Sequence, residues 1–322
     1  MTEKNKMSLA IVIPCYKVKN QILDVIDNIK DNVTTIYVID DCCPDKTGDY
    51  VEQNCDDKRV KILRNNVNLG VGGAVMHGYR EAIKDNIDII VKIDGDGQMD
   101  PDLVPQLIKP IEIGDADYVK GNRFFSLYNM RSMPKIRLFG NAILGLLTKI
   151  SSGYWSIFDP TNGFTAIHRT ALNHINLKNV SSGYFFETDM LINLGGVGAR
   201  VMDMPMVAFY GDEESNLHIH SIIKEFFTKH CKYTVRRLIL NYIFRDFSIG
   251  SLHLIFGSFL FLFGITWGSV HWINSINTGT LATTGTIMIS VLPIILGFQL
   301  LLNFLTFDIT NEPKVAIQRY SE

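Results

Sequence analysis

The stretch from Val91 to Asp100, VKIDGDGQMD, places carboxylates at alternate positions after an apolar run. A strand that only fills a core needs one Asp-Gly to turn, so the repetition points to chemistry, although a solvated Asp-Gly turn is the alternative. Side chains at i and i+2 of an extended strand project to the same side, about 7 Å apart at Cα. Asp94 and Asp96 are therefore expected to face one cation. Hard oxygen ligands suit Mg²⁺ or Mn²⁺, which keep open positions for diphosphate oxygens.

Four apolar segments separated by helical stretches must position this motif: SLAIVIP, TIYVID, RVKIL and IDIIVKID. Strands and helices in alternation predict right-handed crossovers, hence an α/β fold with a mostly parallel sheet and helices on both faces. Ligands bind beyond the carboxyl ends of such strands. The residues there are polar and acidic: Pro14 to Tyr16, Asp40 and Asp41, Arg64 to Asn68, and Asp94 to Gln98.

Glycine placement excludes two common nucleotide sites. A dinucleotide fingerprint follows the first strand, whereas Gly70, Gly72 and Gly73 follow the third and Val75 stands where the last glycine belongs. The G-x-x-x-x-G-K-[ST] loop of the P-loop ATPases does not occur. The remaining interpretation is a site that holds a nucleoside diphosphate through a metal ion.

Composition narrows the class of protein further. The 322 residues are 47% hydrophobic with a formal net charge of -2, which argues against a globally basic, nucleic-acid-binding protein. The five cysteines show no disulfide-framework spacing, and the amino terminus has no signal-peptide core. We therefore expect a reducing, cytosolic environment for the first part of the chain.

Two long uncharged runs occupy the carboxy-terminal third, at residues 250–273 and 285–307. Each exceeds the roughly 20 residues that cross a bilayer, so a two-helix transmembrane hairpin is predicted over residues 249–308. The turn between the runs has no charge, whereas basic residues precede the first run and follow the second. The positive-inside rule then places both termini in the cytoplasm, with a tail over residues 309–322.

The segment over residues 216–248 joins the predicted cytosolic domain, residues 1–215, to the hairpin. Bulky apolar residues recur there at helical spacing among lysines and arginines. This pattern predicts amphipathic juxtamembrane helices on an anionic membrane surface, and the alternative is a helix packed on the domain with a solvated basic face.

Four motifs then occur in a recognisable order: IVIPCYKVKN, VIDDCCPDKT, NVNLGVGGAVMHGYREA and IDGDGQMDP. With the two apolar runs, the chain resembles the inverting family 2 glycosyltransferases, in particular the polyprenyl-phosphate branch that includes the dolichyl-phosphate mannose synthases. The resemblance implies a GT-A nucleotide-sugar transferase fold. It also implies an inner-membrane, multi-pass hexosyltransferase.

For the donor, the resemblance implies that Pro14, Tyr16 and Asp41 cradle the base and ribose, while Asp40 shapes the loop. The metal ligands would be Asp96 and Gln98, with Asp94 beside the ribose or as a further ligand. Asp100 would cap the helix that opens at Pro101. The remaining donor-side residues that the resemblance implies are Asn68, Gly70, Gly73, Gly121 and Arg123, the last beside the sugar and phosphates.

On the acceptor side, the resemblance places Asp159 and Gly163 in the wall of the site and Glu187 and Asp189 at an acidic helix start. A polyprenyl phosphate is already anionic and needs little general-base help, whereas a hydroxyl acceptor would need a base, for which Asp189 is the candidate. Ser215 fits the family's acceptor motif, but no arginine precedes it. Acceptor binding must then draw on Lys120, on Arg131 or Arg137, or on the basic helix.

We therefore predict transfer of a sugar, from a UDP-sugar rather than a GDP-sugar, to a polyprenyl phosphate at the cytoplasmic face. One alternative is transfer to a glycan or lipid hydroxyl in polysaccharide synthesis. Another is a non-catalytic membrane subunit that only binds nucleotide-sugar. The sequence leaves association into homo-oligomers open.

Overall fold

The computed structural model describes residues 7–125, 135–206 and 219–320, apart from the side chains of 135–137 and 219–223. The chain forms two compact units. The first comprises Met1–Tyr233 together with Pro313–Glu322, and the second comprises Thr234–Glu312.

A seven-stranded sheet forms the centre of the first unit. Its strands are β1 (Leu9–Cys15), β2 (Thr35–Asp40), β3 (Val60–Arg64), β4 (Ile89–Lys92), β5 (Tyr118–Asn122), β6 (Thr165–His168) and β7 (Val201–Pro205). The spatial order is β3-β2-β1-β4-β6-β5-β7, and β1 to β4 pair in parallel as predicted. β6 runs antiparallel to both β4 and β5. The segment that precedes β6 therefore lies at the same sheet edge as the turn that follows β4.

Ten helices accompany the strands in the described residues: α1 (Ile22–Asp27), α2 (Thr47–Asn54), α3 (Gly70–Lys84), α4 (Val104–Glu112), α5 (Lys135–Ser152), α6 (Arg169–His174), α7 (Phe186–Val197), α8 (Ile219–Ile239), α9 (Ile249–Thr278) and α10 (Thr284–Thr310). Two buried apolar clusters cover the two faces of the sheet. Side chains of α1, α2 and α4 contribute to one cluster, and side chains of α3, α6 and α7 to the other. Successive side chains of a strand point to opposite faces of the sheet, so strands that are apolar along their whole length bury apolar side chains on both faces.

The first unit extends beyond the predicted boundary at residue 215. The buried ring of Phe185 contacts three rings of α8, with centroid distances of 5.0 Å to Phe226, 5.3 Å to His230 and 6.1 Å to Tyr233. The first part of α8 is therefore packed on the domain, as in the alternative interpretation. Phe227 on this helix is 54% exposed, so contact with a membrane surface stays a prediction for that face.

The segment after α10, predicted as a cytoplasmic tail, folds onto the first unit. The carboxylate of Asp117 accepts hydrogen bonds from the backbone N–H groups of Ile317, at 2.8 Å, and Gln318, at 3.1 Å. The buried Gln318 side chain donates to the carbonyl oxygens of Ile111 and Ala116. These contacts satisfy backbone groups on both sides, which makes the tail part of the domain.

The second unit is built on the hairpin of α9 and α10, which within the described residues are the two helices long and apolar enough to cross a membrane. Small residues allow the close approach: a Cβ on Gly257 would lie 3.2 Å from the carbonyl oxygen of Gly297. Ser290 also donates a hydrogen bond to the carbonyl oxygen of Gly264 across the pair. Such contacts are typical of helices associating in lipid.

Candidate active site

The acidic turn over residues 94–98 lies directly beyond the carboxyl end of β4. The strand ends at Lys92, so Asp96 sits in a turn and not in an extended strand, and the predicted strand alternation does not apply to it. Gly97 has a φ of +75°, which permits this turn. The N–H of Gln98 donates to Oδ1 of Asp96 at 3.0 Å. The two predicted metal ligands are therefore held together within one turn.

A buried lysine connects this turn to α7. The Nζ of Lys92 lies 2.9 Å from Oδ1 of Asp94 and 3.3 Å from Oε1 of Glu187, and the lysine side chain is only 1% exposed. Burial disfavours the ammonium, but the two carboxylates outweigh burial and raise the pKa of Lys92 above its usual value. Lys92 was not identified as a site residue from the sequence, although a lone lysine inside an apolar strand indicates a buried partner of opposite charge.

Gly163 lies against this ion pair. A Cβ at position 163 would come within 2.2 Å of the Lys92 Nζ and 2.7 Å of Oδ2 of Asp94. A side chain at this position would displace the Lys92 ammonium or the Asp94 carboxylate, so glycine allows the loop before β6 to cover the pair as it stands. Lys92 therefore lies between Gly163, predicted on the acceptor side, and the acidic turn, predicted on the donor side.

The predicted nucleoside-binding residue Asp41 is buried and organises the loop after β3. Its Oδ1 accepts from Asn65 Nδ2 at 2.7 Å and from the N–H of Leu69 at 2.9 Å, and its Oδ2 accepts from the N–H of Gly70 at 2.8 Å. Because the Asn65 amide nitrogen donates to the carboxylate, its oxygen faces Nδ1 of His77 at 2.7 Å, and that nitrogen must carry the proton. Asn65 and His77 were not identified from the sequence.

Asp40 shapes the adjacent loop, as predicted. Its two oxygens accept from the N–H groups of Cys43, at 2.7 Å, and Gly48, at 2.6 Å. Pro14 is half-buried near the end of β1, and the ring of Tyr16 beyond it is 45% exposed. Parallel pairing of β1 with β2 places these residues at the same edge as Asp41. Their contact with a nucleoside stays a prediction.

The glycines at the start of α3 accommodate a close approach of backbone, here from the segment 181–183. The carbonyl oxygen of Ser182 accepts from the N–H groups of Gly72, at 2.8 Å, and Gly73, at 3.2 Å. A Cβ on Gly70, which has a φ of +79°, would lie 2.7 Å from the same oxygen. The exposed Asn68 accepts from the Gly70 N–H at 3.0 Å. Contact of these residues with a nucleotide stays a prediction.

Arg123 and Asp159 form a bidentate pair. The Nε of Arg123 donates to Oδ2 of Asp159 at 2.7 Å and its Nη2 donates to Oδ1 at 2.9 Å, while the carboxylate is fully buried. Thr161 lies 3.2 Å from the same Nη2. The arginine side chain is 22% exposed and its guanidinium is held at a fixed orientation, which suits recognition of a phosphate.

The two acids at the start of α7 face different surroundings. Residues two positions apart on a helix point about 200° apart, so both cannot face one site. Glu187 is directed to Lys92, whereas the fully buried Asp189 accepts from the Ser181 N–H at 2.7 Å and from Asn193 Nδ2 at 3.1 Å. The geometry therefore brings Glu187 to the acidic turn, and the role of Asp189 as a base stays a prediction.

The buried Lys120 and the half-buried Asp203 both interact electrostatically with Asp159. Burial lowers the pKa of Lys120 to about 8, and its ammonium donates to the carbonyl oxygen of Asn162. Burial also raises the pKa of Asp203 to about 6. Oδ2 of Asp203 accepts from Asn122 Nδ2 and from the Phe158 N–H, both at 2.9 Å. Lys120 is thus enclosed, not presented at the surface as an acceptor-binding side chain.

Gly121 is also enclosed, since a Cβ there would lie 2.4 Å from the sulfur of Met206. Asp100 caps the turn that begins at Pro101, as predicted, by accepting from the Asp102 N–H at 2.9 Å. Ser215, Arg131 and the side chain of Arg137 lie outside the described residues.

Within the described ranges, no group of three or more His, Cys, Asp or Glu side chains is arranged to hold a metal ion. The acidic turn nevertheless fits Mg²⁺ or Mn²⁺, because such ions are commonly held by one or two carboxylates with the remaining positions left to water and substrate phosphates. Asp96 and Gln98 supply hard oxygen donors of this kind. One oxygen of Asp94 is already paired with Lys92.

Comparison with known proteins agrees with these features. Over 204 residues the chain is 28% identical to an undecaprenyl-phosphate mannosyltransferase of Micrococcus luteus, covering 62% of this chain and 83% of that protein. Over 214 residues it is 26% identical to the UDP-N-acetylglucosamine–dolichyl-phosphate N-acetylglucosaminyltransferase of Methanococcus voltae, covering 62% and 85% of the two chains.

The fold also matches a solved structure. It superposes with a TM-score of 0.51 and 19% identity on glucosyl-3-phosphoglycerate synthase of Mycobacterium tuberculosis, solved with Mn²⁺, UDP and glucosyl-3-phosphoglycerate, over 72% of this chain and 80% of that one. This likeness identifies the GT-A fold. The sequence model described as Glycosyl transferase family 2 matches residues 10–175, which is more than half of the chain. The chain therefore belongs to glycosyl transferase family 2.

Proposed function

We propose that the protein is a membrane-bound, inverting hexosyltransferase that moves a sugar from a UDP-sugar to a polyprenyl phosphate at the cytoplasmic face. The observation that carries the proposal is one chain joining a family 2 domain, with its acidic turn, to two helices apolar enough to cross a membrane. The similar bacterial and archaeal enzymes are named for polyprenyl-phosphate acceptors, and one is named for a UDP-sugar.

In the proposed reaction, a phosphate oxygen of the lipid attacks the anomeric carbon opposite the leaving diphosphate. The new carbon–oxygen bond forms as the bond to the diphosphate breaks, and its electron pair departs with UDP. A phosphate monoester, with a second pKa of about 6, is largely dianionic at neutral pH and needs little help from a base. The buried position of Asp189 is compatible with this acceptor.

Asp96 and Gln98 would hold a Mg²⁺ or Mn²⁺ ion. When bound, the ion supplies positive charge for the diphosphate. Mn²⁺ with UDP in the structurally similar synthase supports this assignment. Arg123, oriented by Asp159, would donate to the phosphate oxygens on which charge builds during departure. Asp41 would accept a hydrogen bond from the base, within the loop that Asn65 stabilises.

The cytoplasmic assignment is supported by the fold of the carboxy-terminal segment. The chain up to Tyr233 and the chain from Pro313 onward belong to the same unit, which carries the site, so a hairpin of two spans returns the chain to the side from which it started. Basic residues flank the two spans on that side. Both termini would then lie in the cytoplasm.

The test is product analysis with the full-length protein in detergent or nanodiscs. The protein would be incubated with a panel of UDP- and GDP-sugars, Mn²⁺ and a short polyprenyl phosphate, and lipids would be examined by mass spectrometry. We expect a polyprenyl-phosphate monosaccharide, formed fastest from a UDP-sugar. A sugar attached to a hydroxyl would contradict the acceptor assignment, and tight nucleotide-sugar binding without turnover would favour a non-catalytic subunit.

A further inference from the structure

Lys92 is a cation enclosed at the meeting point of three segments of the site. It lies in the central strand β4, its side chain is 1% exposed, and it contacts carboxylates from the acidic turn and from the start of α7. The third segment is the loop before β6, where Gly163 leaves no room for any side chain over the Nζ. A buried ammonium is costly unless it is paired, so the position of Lys92 is coupled to the positions of both carboxylates.

The Lys92 ammonium faces two carboxylates, those of Asp94 and Glu187. The charge of the buried Lys120 also acts on Glu187. Asp96, two residues beyond Asp94, adds a further carboxylate at the proposed cation site. Without Lys92, the acidic turn would be more negative, and Asp94 would have no partner holding its Oδ1 at 2.9 Å.

We propose that Lys92 is a positioning residue that holds the side chains of Asp94 and Glu187 in place and reduces the negative charge of the acidic turn. It holds one oxygen of Asp94 in an ion pair, which leaves Asp96 and Gln98 as the primary ligands of a divalent cation. Through Glu187, it also sets the position of the acceptor-side helix α7 relative to the donor turn. The inference rests on the proposed function, because it assumes that the acidic turn binds a cation and nucleotide.

Two opposite shifts in cation affinity follow from this arrangement. In Lys92→Met, the two carboxylates lose their counter-charge, so Mn²⁺ should bind about 3- to 30-fold more tightly. Turnover should nevertheless fall at least about 10-fold, because Asp94 is free to rotate toward the cation and Glu187 is no longer held. In Glu187→Gln, Lys92 has one carboxylate fewer, so Mn²⁺ should bind about 2- to 10-fold more weakly.

The experiment measures Mn²⁺ binding to the full-length protein in the presence of UDP, by calorimetry or by electron paramagnetic resonance, together with the melting temperature of the metal-free protein. Glu187→Gln is close in size to the native residue and provides the test if Lys92→Met fails to fold.

Tighter binding in Lys92→Met with reduced turnover, or weaker binding in Glu187→Gln, supports the proposal. Unchanged Mn²⁺ affinity in the folded variants overturns it, as does weaker binding in Lys92→Met that parallels a loss of thermal stability, which is the result expected of a purely structural lysine. Absence of any Mn²⁺-dependent UDP binding in the wild type would contradict the proposed function itself and this inference with it.

Discussion

The carboxylate of Asp159 lies against the guanidinium of Arg123 and accepts two hydrogen bonds from it, from Nε at 2.7 Å and from Nη2 at 2.9 Å. The backbone N–H of Arg123 also donates to Asp159, at 3.2 Å. Because Asp159 is fully buried, the pair fixes the plane of the guanidinium while 22% of the arginine side chain stays exposed. The two residues were predicted separately, one for the donor and one for the acceptor wall, and the structure makes them one unit.

Substitutions in this pair should therefore be non-additive. Arg123→Lys cannot make the bidentate contact, and Asp159→Asn faces the guanidinium with an amide donor, so each should lower kcat by about 10- to 100-fold. The double variant should be little worse than the poorer single variant, because both remove the same oriented group. Steady-state kinetics on the three variants measure this coupling.

The matched control is the pair of Arg169 and Asp88, joined at 3.1 Å near the opposite end of β4. Asp88→Asn should leave kcat within about twofold of wild type. Fully multiplicative losses in the Arg123 and Asp159 variants would show that the two residues act independently.

Removal of the proposed cation ligand should abolish transfer and leave the fold intact. Asp96 is half-buried in a turn, so Asp96→Ala should change the melting temperature by only a few degrees while lowering kcat by about 1,000-fold or more. Chelation by EDTA should inactivate the wild type, and added Mn²⁺ should restore it.

Asp100 offers a control four residues along the same segment. Its side chain caps the turn at Pro101, so Asp100→Ala should cost about 0.5–2 kcal/mol of stability and retain metal-dependent turnover. Retained transfer in Asp96→Ala would contradict the cation assignment.

Donor affinity should depend on Asn65 through Asp41. Asn65→Ala removes the 2.7 Å hydrogen bond to the carboxylate and leaves His77 without its acceptor, so the loop should lose its fixed conformation. We expect UDP to bind about 3- to 10-fold more weakly, with kcat at saturating donor nearly unchanged. Asn65→Asp should be worse, because it places a second carboxylate beside Asp41. A change in kcat alone would place Asn65 outside the donor site.

Asp203 should make the stability of the domain decrease with rising pH on the acid side of neutrality. Burial raises the pKa of this carboxyl from 3.8 to about 6. Between these values the folded state binds more protons than the unfolded chain, so the free energy of unfolding falls as the pH rises through this window. The contribution is complete below pH 3.8 and lost above about pH 6.

Asp203→Asn cannot ionise and should lack this dependence. The melting temperature of the variant minus that of the wild type should increase by about 2–6 °C when the pH is raised from about 4.5 to about 7.5. An Asp203→Asn curve parallel to that of the wild type would contradict the raised pKa.

The local pattern of the sequence predicted much of the fold and part of the site. Strands β1 to β3 lie within about a residue or two of their predicted bounds, because short apolar runs bounded by turn residues are local signals. The antiparallel direction of β6 depends on pairing with β4 and β5, which no local pattern reports. The partnership of Lys92 with Glu187 likewise depends on tertiary packing. The opposite directions of Glu187 and Asp189, in contrast, follow from helix geometry and could have been deduced.

The docked carboxy-terminal segment gives a last prediction, on membrane topology. Asp117 accepts hydrogen bonds from Ile317 and Gln318, and Gln318 is buried, so the segment after α10 must reach the domain that contains the site. A cysteine introduced at the exposed Tyr320, in a background without the native cysteines, should be labelled only when the cytoplasmic side is accessible. A cysteine at the exposed Leu281, between α9 and α10, should be labelled from the opposite side.

Gln318→Ala tests whether the docking also stabilises the domain. The substitution removes two side-chain hydrogen bonds and leaves the carbonyl oxygens of Ile111 and Ala116 without these donors, which should cost about 1–3 kcal/mol. Arg319→Ala removes a half-exposed ion pair with Asp115 and should cost less than about 1 kcal/mol. Labelling of positions 320 and 281 from the same side would refute the two-span topology, because an uninterrupted hairpin must place its turn across the membrane from its two ends.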